Sequence, residues 1–322
     1  DFFKRTGYPR APRYYLMKWH ADWVRKFGID GFSADTVKHT EPGLWKELKK
    51  EASLALADWK RANPAKSIDQ KPFWMVSEVY NYEIKHARKF DLGGGDFVDY
   101  LDQGFDSMIS FSLRSDAKQP YEKIFSDYSK ILNGEMKGYS VLNYISSHDD
   151  SSPFDPLRER PFESANKLLL APGAAQIYYG DETARILRVE GAEGDATLRS
   201  FMNWDELKTN AQRGAYRVAD IHDHWARLGR FRAAHPAVGA GVHQMLSASP
   251  YTFKRTWSKG QASDRVVVAL DLPLETPVAI SVAGVFNDGQ TVRDWYTGKS
   301  AVVKGGKVQF DTAAPVALIA QD

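Results

Sequence analysis

The sequence contains no cysteine among its 322 residues. This absence excludes a disulfide-stapled scaffold, a cysteine-ligated zinc or iron–sulfur site and a cysteine nucleophile. Net charge is almost absent, since 43 Lys and Arg residues are balanced by 41 Asp and Glu residues. There is also no apolar run of the roughly 18 residues needed to cross a bilayer. We therefore expect neither nucleic acid nor a membrane as a partner of this chain.

The start of the sequence, Asp1-Phe2-Phe3, lacks both a Met and a basic-then-apolar leader. A processed, trimmed or fragmentary chain is therefore expected. Length alone predicts about two domains, with one large α/β domain as the alternative. Hydrophobic residues make up 43% and charged residues 26%, which are ordinary values for a globular protein with a sizeable core.

Helical and strand-like patterns alternate along most of the chain. Apolar residues at helical spacing predict helices, and short apolar runs predict buried strands. The predicted helices cover residues 13–27, 44–63, 121–132, 162–170 and 216–234. The predicted strands cover residues 29–35, 73–77, 105–111, 141–147 and 175–179. The strands start 32 to 44 residues apart, a spacing typical of βα units in a parallel sheet or barrel.

The pattern changes from about Val242 onward. Strand-like runs separated by Gly, Asp, Pro and Lys turns predict a small antiparallel β domain, with strands at 251–257, 265–270, 277–282 and 302–310. We place the boundary between residues 238 and 239. The predicted domains are therefore a β/α part, 1–238, and an antiparallel β domain, 239–322.

Two folds remain open for the β/α part. Five βα units are three fewer than the eight of a closed barrel, so an open five-stranded sheet is the literal interpretation. The alternative is a (β/α)8 TIM-type barrel of which this chain supplies about strands 4–8. The motifs at the strand ends favour the barrel.

Acidic side chains follow several of the predicted strands, at the end where a β/α barrel places its functional residues. They are Asp35, Glu78, Asp149 (beside His148) and the pair Asp181-Glu182. Three carboxylates that converge on one pocket suit glycoside hydrolysis, as a nucleophile, an acid/base and a stabiliser of an oxocarbenium-like transition state. Crowding of carboxylates raises the pKa of one of them, so that it keeps a proton for the leaving oxygen.

Four segments at these strand ends resemble the α-amylase family of glycoside hydrolases. Gly31-Phe-Ser-Ala-Asp-Thr-Val-Lys-His39 resembles the strand-four segment, usually Gly-Phe-Arg-x-Asp-x-x-Lys-His. Trp74-Met-Val-Ser-Glu-Val79 is similar to the strand-five segment, and Tyr144-Ile-Ser-Ser-His-Asp149 to the strand-seven segment. Pro172-Gly-Ala-Ala-Gln-Ile-Tyr-Tyr-Gly-Asp-Glu182 resembles the strand-eight segment. Each motif is weak alone, but their order and positions together make a strong signal, and residues 14–241 are similar to bacterial periplasmic and secreted α-amylases.

The resemblance implies a role for each of three acids. Asp35 would be the nucleophile, Glu78 the general acid/base and Asp149 the transition-state stabiliser. The implied activity is retaining endo-hydrolysis of α-1,4-glucosidic bonds in starch, glycogen and maltooligosaccharides. A transglycosylase or an α-glucosidase that uses the same carboxylates is a close variant.

The resemblance also implies binding roles. His148 would hydrogen-bond the sugar in the cleaved subsite, while Lys38 and His39 would line the aglycone side. The backbone carbonyl of His39 would ligate a structural calcium, whose other ligands in the family lie mostly in a portion that this sequence lacks. No organic cofactor is implied, and the family branch is exported, so a secreted or periplasmic location is expected.

The chain departs from the family pattern in two ways. Ser33 occupies the position of the family's Arg, whose positive charge helps to keep the nucleophile ionised, so reduced turnover is expected unless another cation such as Lys38 compensates. In addition, the strands expected before residue 14 are missing, which would leave open sheet edges. We expect another polypeptide, either the missing N-terminal piece or a second copy, to cover them.

Other motifs favour structural roles. His222 and His224 lie in a helical pattern, where residues i and i+2 point to different faces, which favours a surface helix over a metal site. Gly93-Gly94-Gly95 is typical of a flexible loop rather than a phosphate cradle. Trp204 is similar to a family segment near the cleft rim, although core packing explains it equally well. The alternative to an enzyme is a catalytically impaired or inactive glucan-binding chain, which Ser33 and the missing strands favour.

Overall fold

The computed structural model of the chain describes residues 2–311 and 313–321. Asp1, Thr312 and Asp322 lie outside the described residues, so the outer limits of both predicted domains fall there. Across the part that is described, no helix is both long enough and apolar enough to span a membrane.

Helices and turns of helix occur mainly in the first three quarters of the chain. Within the described residues the α-helices are α1 (Phe2–Thr6), α2 (Pro12–Phe27), α3 (Pro42–Ala62), α4 (Leu113–Asp116), α5 (Tyr121–Asn133), α6 (Pro161–Leu169), α7 (Trp204–Thr209), α8 (Val218–Ala234) and α9 (Pro236–Ala240). Turns of 3₁₀-helix cover Val37–His39, Ile84–His86, Asp181–Thr183 and Gly194–Leu198.

Strands occur throughout and are longest near the C-terminus. In the same described ranges they are β1 (Gly31–Ala34), β2 (Trp74–Ser77), β3 (Phe90–Gly93), β4 (Asp96–Val98), β5 (Ser107–Ser110), β6 (Ser140–Asn143), β7 (Ala174–Ala175), β8 (Gln212–Arg213), β9 (Tyr216–Arg217), β10 (Val242–Ala248), β11 (Tyr251–Lys259), β12 (Ala262–Leu270), β13 (Ile280–Ser281), β14 (Thr291–Asp294), β15 (Ser300–Val302), β16 (Lys307–Val308) and β17 (Val316–Ala320).

The chain divides into two compact units. The first comprises Asp1–Ser110 and Tyr139–Leu142, and the second comprises Phe111–Gly138 and Asn143–Asp322. We describe each unit by itself.

The first unit is a short sheet covered by two long helices. Its strands lie in the order β1-β2-β5-β6, and β1 pairs with β2, and β2 with β5, in parallel. Helix α2 begins with Pro12 in its first turn and ends at Gly28, whose N–H donates to the carbonyl of Val24 at 2.8 Å. The ring of His20 on α2 lies 5.7 Å from Phe32 of β1. The apolar side of β1 is therefore packed against the helices.

The second unit combines helices with a larger antiparallel sheet. The N–H of Gln176 donates to the carbonyl of Asn143 at 2.8 Å, which sets β7 beside the end of β6. Helices α6 and α8 pack together, with the rings of Phe162 and His224 stacked at 4.2 Å. The six-stranded sheet has the order β10-β11-β12-β17-β14-β15. Its core consists of buried apolar side chains, including Val267, Ala269, Val282, Phe286, Val292 and Ile319.

The structure confirms the predicted fold class, α/β followed by an antiparallel β sheet. Each of the five predicted strands of this sheet has at least a short counterpart, and the pairs β1–β2 and β2–β5 are parallel. The five predicted long helices occur with ends shifted by one or two residues. The predicted strand 141–147 is wrong beyond Asn143, because the carbonyl of Ile145 accepts from Phe154 at 2.9 Å in a loop. Of the predicted strand 175–179 only Ala175 lies in a strand, because β7 is Ala174–Ala175.

Some predicted elements outside the parallel sheet differ as well. The predicted strand 302–310 is divided between β15 and β16 by a turn at which the N–H of Lys304 donates to Lys307 at 2.9 Å. Tyr216 belongs to a two-stranded hairpin and not to the following helix, which begins at Val218. The glycines 93–95 form the turn of the β3–β4 hairpin, all with positive φ.

Candidate active site

Asp35 lies at the C-terminal end of β1 and is exposed. Thr36, the next residue, adopts the left-handed conformation with φ of 49°, which turns the chain sharply. Val37 then begins a 3₁₀ turn and is completely buried, so it anchors this loop. A short strand, a sharp turn and a buried anchor thus present the carboxylate of Asp35 to solvent.

Glu78 occupies the equivalent position after β2 and is half-buried. Its N–H donates to the carbonyl of Ala34 at 2.8 Å, and its carbonyl accepts from the N–H of Val37 at 3.1 Å. These two bonds bracket Asp35, so Asp35 and Glu78 lie opposite each other on neighbouring parallel strands. Register partners in a sheet point to the same side, and adjacent strands lie about 4.8 Å apart. Two carboxylates therefore start from adjacent backbone positions.

Ser33 shares the side of β1 from which Asp35 leaves, because successive side chains of a strand alternate between its two sides. Ser33 is exposed, while its neighbour Phe32 packs edge-to-face on Phe73 at 4.9 Å on the helix side. A longer cationic side chain at position 33 would share the side of the sheet occupied by Asp35. The hydroxyl that is present brings no charge to that side.

Lys38 and His39 lie on the 3₁₀ turn that follows Asp35. The Nζ atom of Lys38 lies 5.1 Å from the ring centroid of Tyr80, an exposed residue two positions after Glu78. This cation–π contact connects the loop after β1 with the loop after β2. His39 is exposed, and its N–H donates to the carbonyl of Thr36 at 3.0 Å.

A groove of about 370 Å³ lies in the first unit along β1, between α2 and α3. Its lining is mainly apolar, with a few polar groups: Arg13, Leu16, Met17, His20, Phe32, Ser33, Ala34, Asp35, Thr40, Leu44, Trp45, Leu48 and Met75. Strand β1 is the first strand in the sheet order and has β2 as its neighbour. The groove therefore follows a sheet edge.

In the second unit, His148 and Asp149 follow the buried segment 144–147 and are largely exposed. The hydroxyl of Ser147 donates to Oδ1 of Asp149 at 2.9 Å, which fixes one carboxylate oxygen. Nε2 of His148 lies 3.5 Å from Oδ2 of the same carboxylate. The guanidinium of Arg199 donates to the carbonyl of His148 at 3.0 Å. The structure thus brings His148 and Asp149 together.

A buried phenol supports the loop that contains these residues. The hydroxyl of Tyr144 donates to the carboxylate of Asp150 at 2.8 Å, and Asp150 also pairs with Arg114. Burial, reinforced by the bond to Asp150, raises the pKa of Tyr144 well above its usual value. The phenol therefore remains a donor to Asp150 throughout the physiological pH range.

Asp181 and Glu182, in the 3₁₀ turn that follows β7, do not form a second exposed acid site. Asp181 is buried, forms an ion pair with Arg158 at 2.7 Å and accepts from the hydroxyl of Ser146 at 2.6 Å. The carboxylate of Glu182 accepts from the N–H of Gly180 at 3.0 Å. Both side chains hold loops in place.

Two places in the sequence raise the question of a metal site: His39, and the pair His222 and His224. Among the residues that the structure describes, no three His, Asp or Glu side chains form a group suited to a metal ion. The side chains present therefore do not by themselves make a calcium centre around His39. His222 is exposed and His224 is buried, so the two point to different sides of α8. The buried ring of His224 packs on Phe162 and Tyr296.

Sequence reasoning missed two contacts of these residues. Arg199 bonds to His148 across 51 positions through a backbone carbonyl, and no local pattern announces such a bond. The contact of Tyr80 with Lys38 was also missed. The available signal in the sequence was an aromatic residue two positions after Glu78, close to the end of a predicted strand.

The comparisons with known proteins agree with this architecture. No protein-family profile matches the chain. A periplasmic alpha-amylase from Escherichia coli (strain K12) is 38% identical over 262 residues, which cover 80% of this chain and 35% of that protein. An alpha-amylase from Streptomyces lividans is 26% identical over 320 residues, which cover 90% of this chain and 33% of that protein. The chain thus spans about a third of the length of these curated relatives.

Solved structures show the same fold. An Anoxybacillus alpha-amylase matches with a TM-score of 0.62 at 21% identity, over 96% of this chain and 63% of that one. An alpha-amylase from Geobacillus thermoleovorans matches with a TM-score of 0.62 at 18% identity, over 95% of this chain and 63% of that one. Sequence and fold together therefore relate this chain to the α-amylase family of glycoside hydrolases.

Proposed function

We propose that this chain carries the acidic side chains of a retaining α-glucan hydrolase, with Asp35 as nucleophile and Glu78 as general acid/base. The observation that supports the proposal most directly is the position of Asp35 opposite Glu78 on neighbouring parallel strands. In retaining glycosidases the two working carboxyl groups are about 5–5.5 Å apart. Adjacent strands, about 4.8 Å apart, provide starting positions suited to that separation.

The first step forms a glycosyl ester on Asp35. Protonated Glu78 gives its proton to the glycosidic oxygen, and the carbon–oxygen bond breaks with its electron pair going to that oxygen. A carboxylate oxygen of Asp35 attacks the anomeric carbon from the opposite face of the ring. The leaving sugar departs with a free hydroxyl, and Glu78 is left ionised.

The second step returns both acids to their starting states. Ionised Glu78 takes a proton from water, whose oxygen attacks the anomeric carbon and displaces Asp35 as a carboxylate. Two displacements at one carbon keep its configuration. Water therefore enters at the face that the leaving sugar has vacated.

The remaining predicted residues have supporting roles in this proposal. Asp149 stabilises positive charge on the ring in the transition state, and His148 hydrogen-bonds the sugar that is cleaved. Lys38 and His39, on the turn after Asp35, line the aglycone side. The bond from Ser147 to Asp149 keeps that carboxylate oriented as an acceptor.

We propose α-1,4-linked glucans as substrates: starch, glycogen and maltooligosaccharides, cleaved at internal bonds. The names of the curated relatives, two alpha-amylases and a cyclomaltodextrinase, support this substrate class. Transglycosylation and exo-acting α-glucosidase activity use the same acids and differ in the loops around them.

The second candidate function is glucan binding with impaired catalysis. It is favoured by Ser33, which is exposed on the side of Asp35 and brings no positive charge there. Position 33 therefore lacks a guanidinium that would orient the carboxylate of Asp35 through charge-assisted hydrogen bonds.

Release of reducing sugar from soluble starch distinguishes the two functions. We expect Glu78→Gln to lower the rate by about 10²–10⁴-fold, the usual contribution of general acid catalysis. Glu83→Gln is the matched control, since it removes a carboxylate five residues away that pairs with Lys85. Equal activity of the Glu78→Gln and Glu83→Gln variants would contradict the enzymatic proposal. Glucan binding without turnover, unrestored by Ser33→Arg, would establish the binding function instead.

Calcium and compartment complete the proposal. The carbonyl of His39 is proposed as one calcium ligand, and the reaction steps above do not pass through the metal. A rise in melting temperature with added calcium, lost in EGTA, is the expected result. Export to the periplasm or the medium is proposed because one curated relative is named a periplasmic enzyme.

We also propose that a further polypeptide segment covers one side of the first unit. Four large side chains at helical spacing on α2, Leu16, Trp19, Trp23 and Phe27, are each more than half exposed. They lie on the helix that borders the groove beside the edge strand β1. A parallel strand followed by a helix would pair with the edge and bury the apolar side chains. The greater length of the curated relatives favours an additional segment over a second copy.

A further inference from the structure

Two aromatic side chains in the second unit extend into solvent from a firmly held backbone. The side chain of Phe201 is 99% exposed and that of Trp204 is 65% exposed. They lie three residues apart in residues 199–204, which we call the aromatic rim. Single exposed apolar side chains are common on protein surfaces and need no explanation. The backbone of the aromatic rim, however, is anchored at several points.

The first anchor is the buried guanidinium of Arg185. It donates to the carbonyl of Ser200 at 3.1 Å and to the carbonyl of Tyr179 at 2.9 Å. The same guanidinium lies 3.9 Å from the ring centroid of Tyr179, whose hydroxyl donates to the carbonyl of Ser200 at 2.8 Å. A charged group that is 1% exposed is thus used to fix the backbone immediately before Phe201.

The second anchor is Asn203, immediately before Trp204. Its amide nitrogen donates to the carbonyl of Thr183 at 3.0 Å, and its amide oxygen accepts from the hydroxyl of Thr183 at 2.7 Å. These reciprocal bonds fix the start of α7. Phe201 therefore lies between two anchored positions, and its ring is presented with little loss of backbone entropy on binding.

The aromatic rim is also connected to the candidate active site of this unit. Arg199, its first residue, donates to the carbonyl of His148 at 3.0 Å. His148 is the residue proposed to hydrogen-bond the sugar at the cleaved bond. A polymer bound at His148 would therefore pass close to the start of the aromatic rim.

We propose that Phe201 and Trp204 bind glucose rings of an α-glucan chain beyond the ring held by His148. The inference rests on the proposed function. A pyranose ring has an apolar face of C–H groups, which suits a flat aromatic side chain, and hydroxyl groups at its edge. The exposed polar residues Arg199 and Asp205 flank the two aromatics and suit those hydroxyls. A chain of sugars, apolar on its faces and polar at its edges, fits this alternation better than an apolar protein surface.

Calorimetric titration with maltoheptaose and with maltose tests the proposal in a Glu78→Gln background, in which hydrolysis does not interfere. We expect Phe201→Ala and Trp204→Ala each to weaken maltoheptaose binding about fivefold to tenfold. Maltose is too short to reach from His148 to the aromatic rim, so its affinity should not change in these variants. Phe201→Tyr keeps the ring and should keep the affinity.

The control is Phe97→Ala, which removes a comparably exposed aromatic from the β3–β4 hairpin. Phe201 is almost fully exposed, so its truncation removes no packing and the variant should fold normally. Unchanged maltoheptaose affinity in both rim variants overturns this inference and leaves the proposed function standing. If the parent chain binds neither sugar, both the inference and the proposed function are overturned.

Discussion

Ser33 and Asp35 leave β1 on the same side, two residues apart, and both are exposed. Any charge introduced at position 33 therefore acts on Asp35 at short range through partly aqueous surroundings. Between exposed side chains a charge pair of this kind is worth about 0.2–1 kcal/mol. The side chain at position 33 thus has a direct but modest influence on the neighbouring acid.

Ser33→Arg should increase the rate of starch hydrolysis, because a guanidinium on the side of Asp35 can orient that carboxylate through charge-assisted hydrogen bonds. We expect a rise of up to about fivefold in kcat/KM, which corresponds to about 1 kcal/mol of transition-state stabilisation. Reducing-sugar assays across a pH series measure it, with Ser33→Ala as the uncharged control. A rate that does not rise above that of Ser33→Ala would show that position 33 does not limit turnover.

Phe201 and Trp204 are proposed to act by binding substrate and not by changing the reactivity of an acid. Their rings are exposed while the atoms around them are hydrogen-bonded, so their substitution changes ligand contacts and leaves packing intact. A kcat unaffected by Phe201→Ala, with KM raised on long glucans, is the kinetic counterpart of the binding test. The matching measurement uses starch and maltotriose side by side.

The strand ends allowed the candidate acids to be chosen from the sequence. Asp35 and Glu78 each follow a short apolar run, and the structure ends β1 and β2 directly before them. Buried anchors such as Arg185 were not predictable, because Arg185 bonds to backbone carbonyls. Every residue has a backbone carbonyl, so the residue type of the partner gives no signal in the sequence. Local pattern thus located the acids but could not locate the groups that hold the loops.

At the scale of elements, the pairing of α2 with α3 depends on the turn at Gly28. This glycine ends α2 with φ of 70°, and a Cβ placed on it would lie 2.4 Å from Cε2 of Trp59 on α3. The position therefore requires glycine for two independent reasons, a left-handed backbone and a close approach.

Gly28→Ala should lower the free energy of unfolding by about 1–3 kcal/mol, the sum of backbone strain and displacement of the indole. Urea denaturation followed by circular dichroism measures this change. Gly43→Ala is the control, because Gly43 lies in α3 with nothing within 4 Å of its added Cβ. In a helix this change should stabilise by about 0.5–1 kcal/mol. Equal effects at both sites would contradict the steric argument.

Helices were predicted better than strands for a physical reason. Their boundaries depend on local residues such as Pro12 and Gly28, which lie at the two ends of α2. The predicted strands 141–147 and 175–179 are largely apolar, yet both end early. Their later residues bond to distant loops: Ser146 donates to Asp181, and Tyr178 donates to the carbonyl of Leu198. The pattern of residues within a strand does not predict such distant partners.

For the molecule as a whole, two buried histidines should govern stability in acid. Burial lowers the pKa of His224 to about 4. Burial, with a smaller effect of Arg255, also lowers the pKa of His243 to about 4 although Glu122 lies 2.9 Å away. Unfolding frees both rings to bind protons near their ordinary pKa of about 6.5. Stability is thus fully present above about pH 6.5 and falls as the pH drops towards 4.

Each histidine should cost up to roughly 3 kcal/mol of stability by pH 4. Melting temperatures recorded from pH 8 to pH 4 measure the loss. We expect His224→Gln and His243→Gln to flatten the profile, although each loses some stability at pH 8. His222→Gln, on the exposed side of α8, should leave the profile unchanged. Parallel profiles for the parent and the two buried variants would contradict the assignment.

The apolar side of α2 leads to a prediction about association. Sedimentation velocity should show the chain associating, and Trp19→Lys with Trp23→Lys should reduce this association. The substitutions replace two exposed rings with charges and should not disturb the core. A monomeric chain that unfolds in a single cooperative transition would count against any covering segment. A defined dimer, dissociated by the two lysines, would identify a second copy as the cover.

Arg255 of β11 is buried, and its guanidinium donates to the carbonyls of Leu170 and Val238, outside the six-stranded sheet. Asp264 of β12 likewise accepts from the N–H of Ala237 at 2.9 Å. If the chain were divided after residue 238 and the C-terminal sheet removed, the carbonyls of Leu170 and Val238 and the N–H of Ala237 would lose these hydrogen-bond partners. Exchange of the C-terminal module between homologues should therefore succeed only when the donor sequence retains both an arginine and an aspartate at these positions. We therefore expect recombination between homologues to transfer the sheet together with the helical segments to which it is hydrogen-bonded.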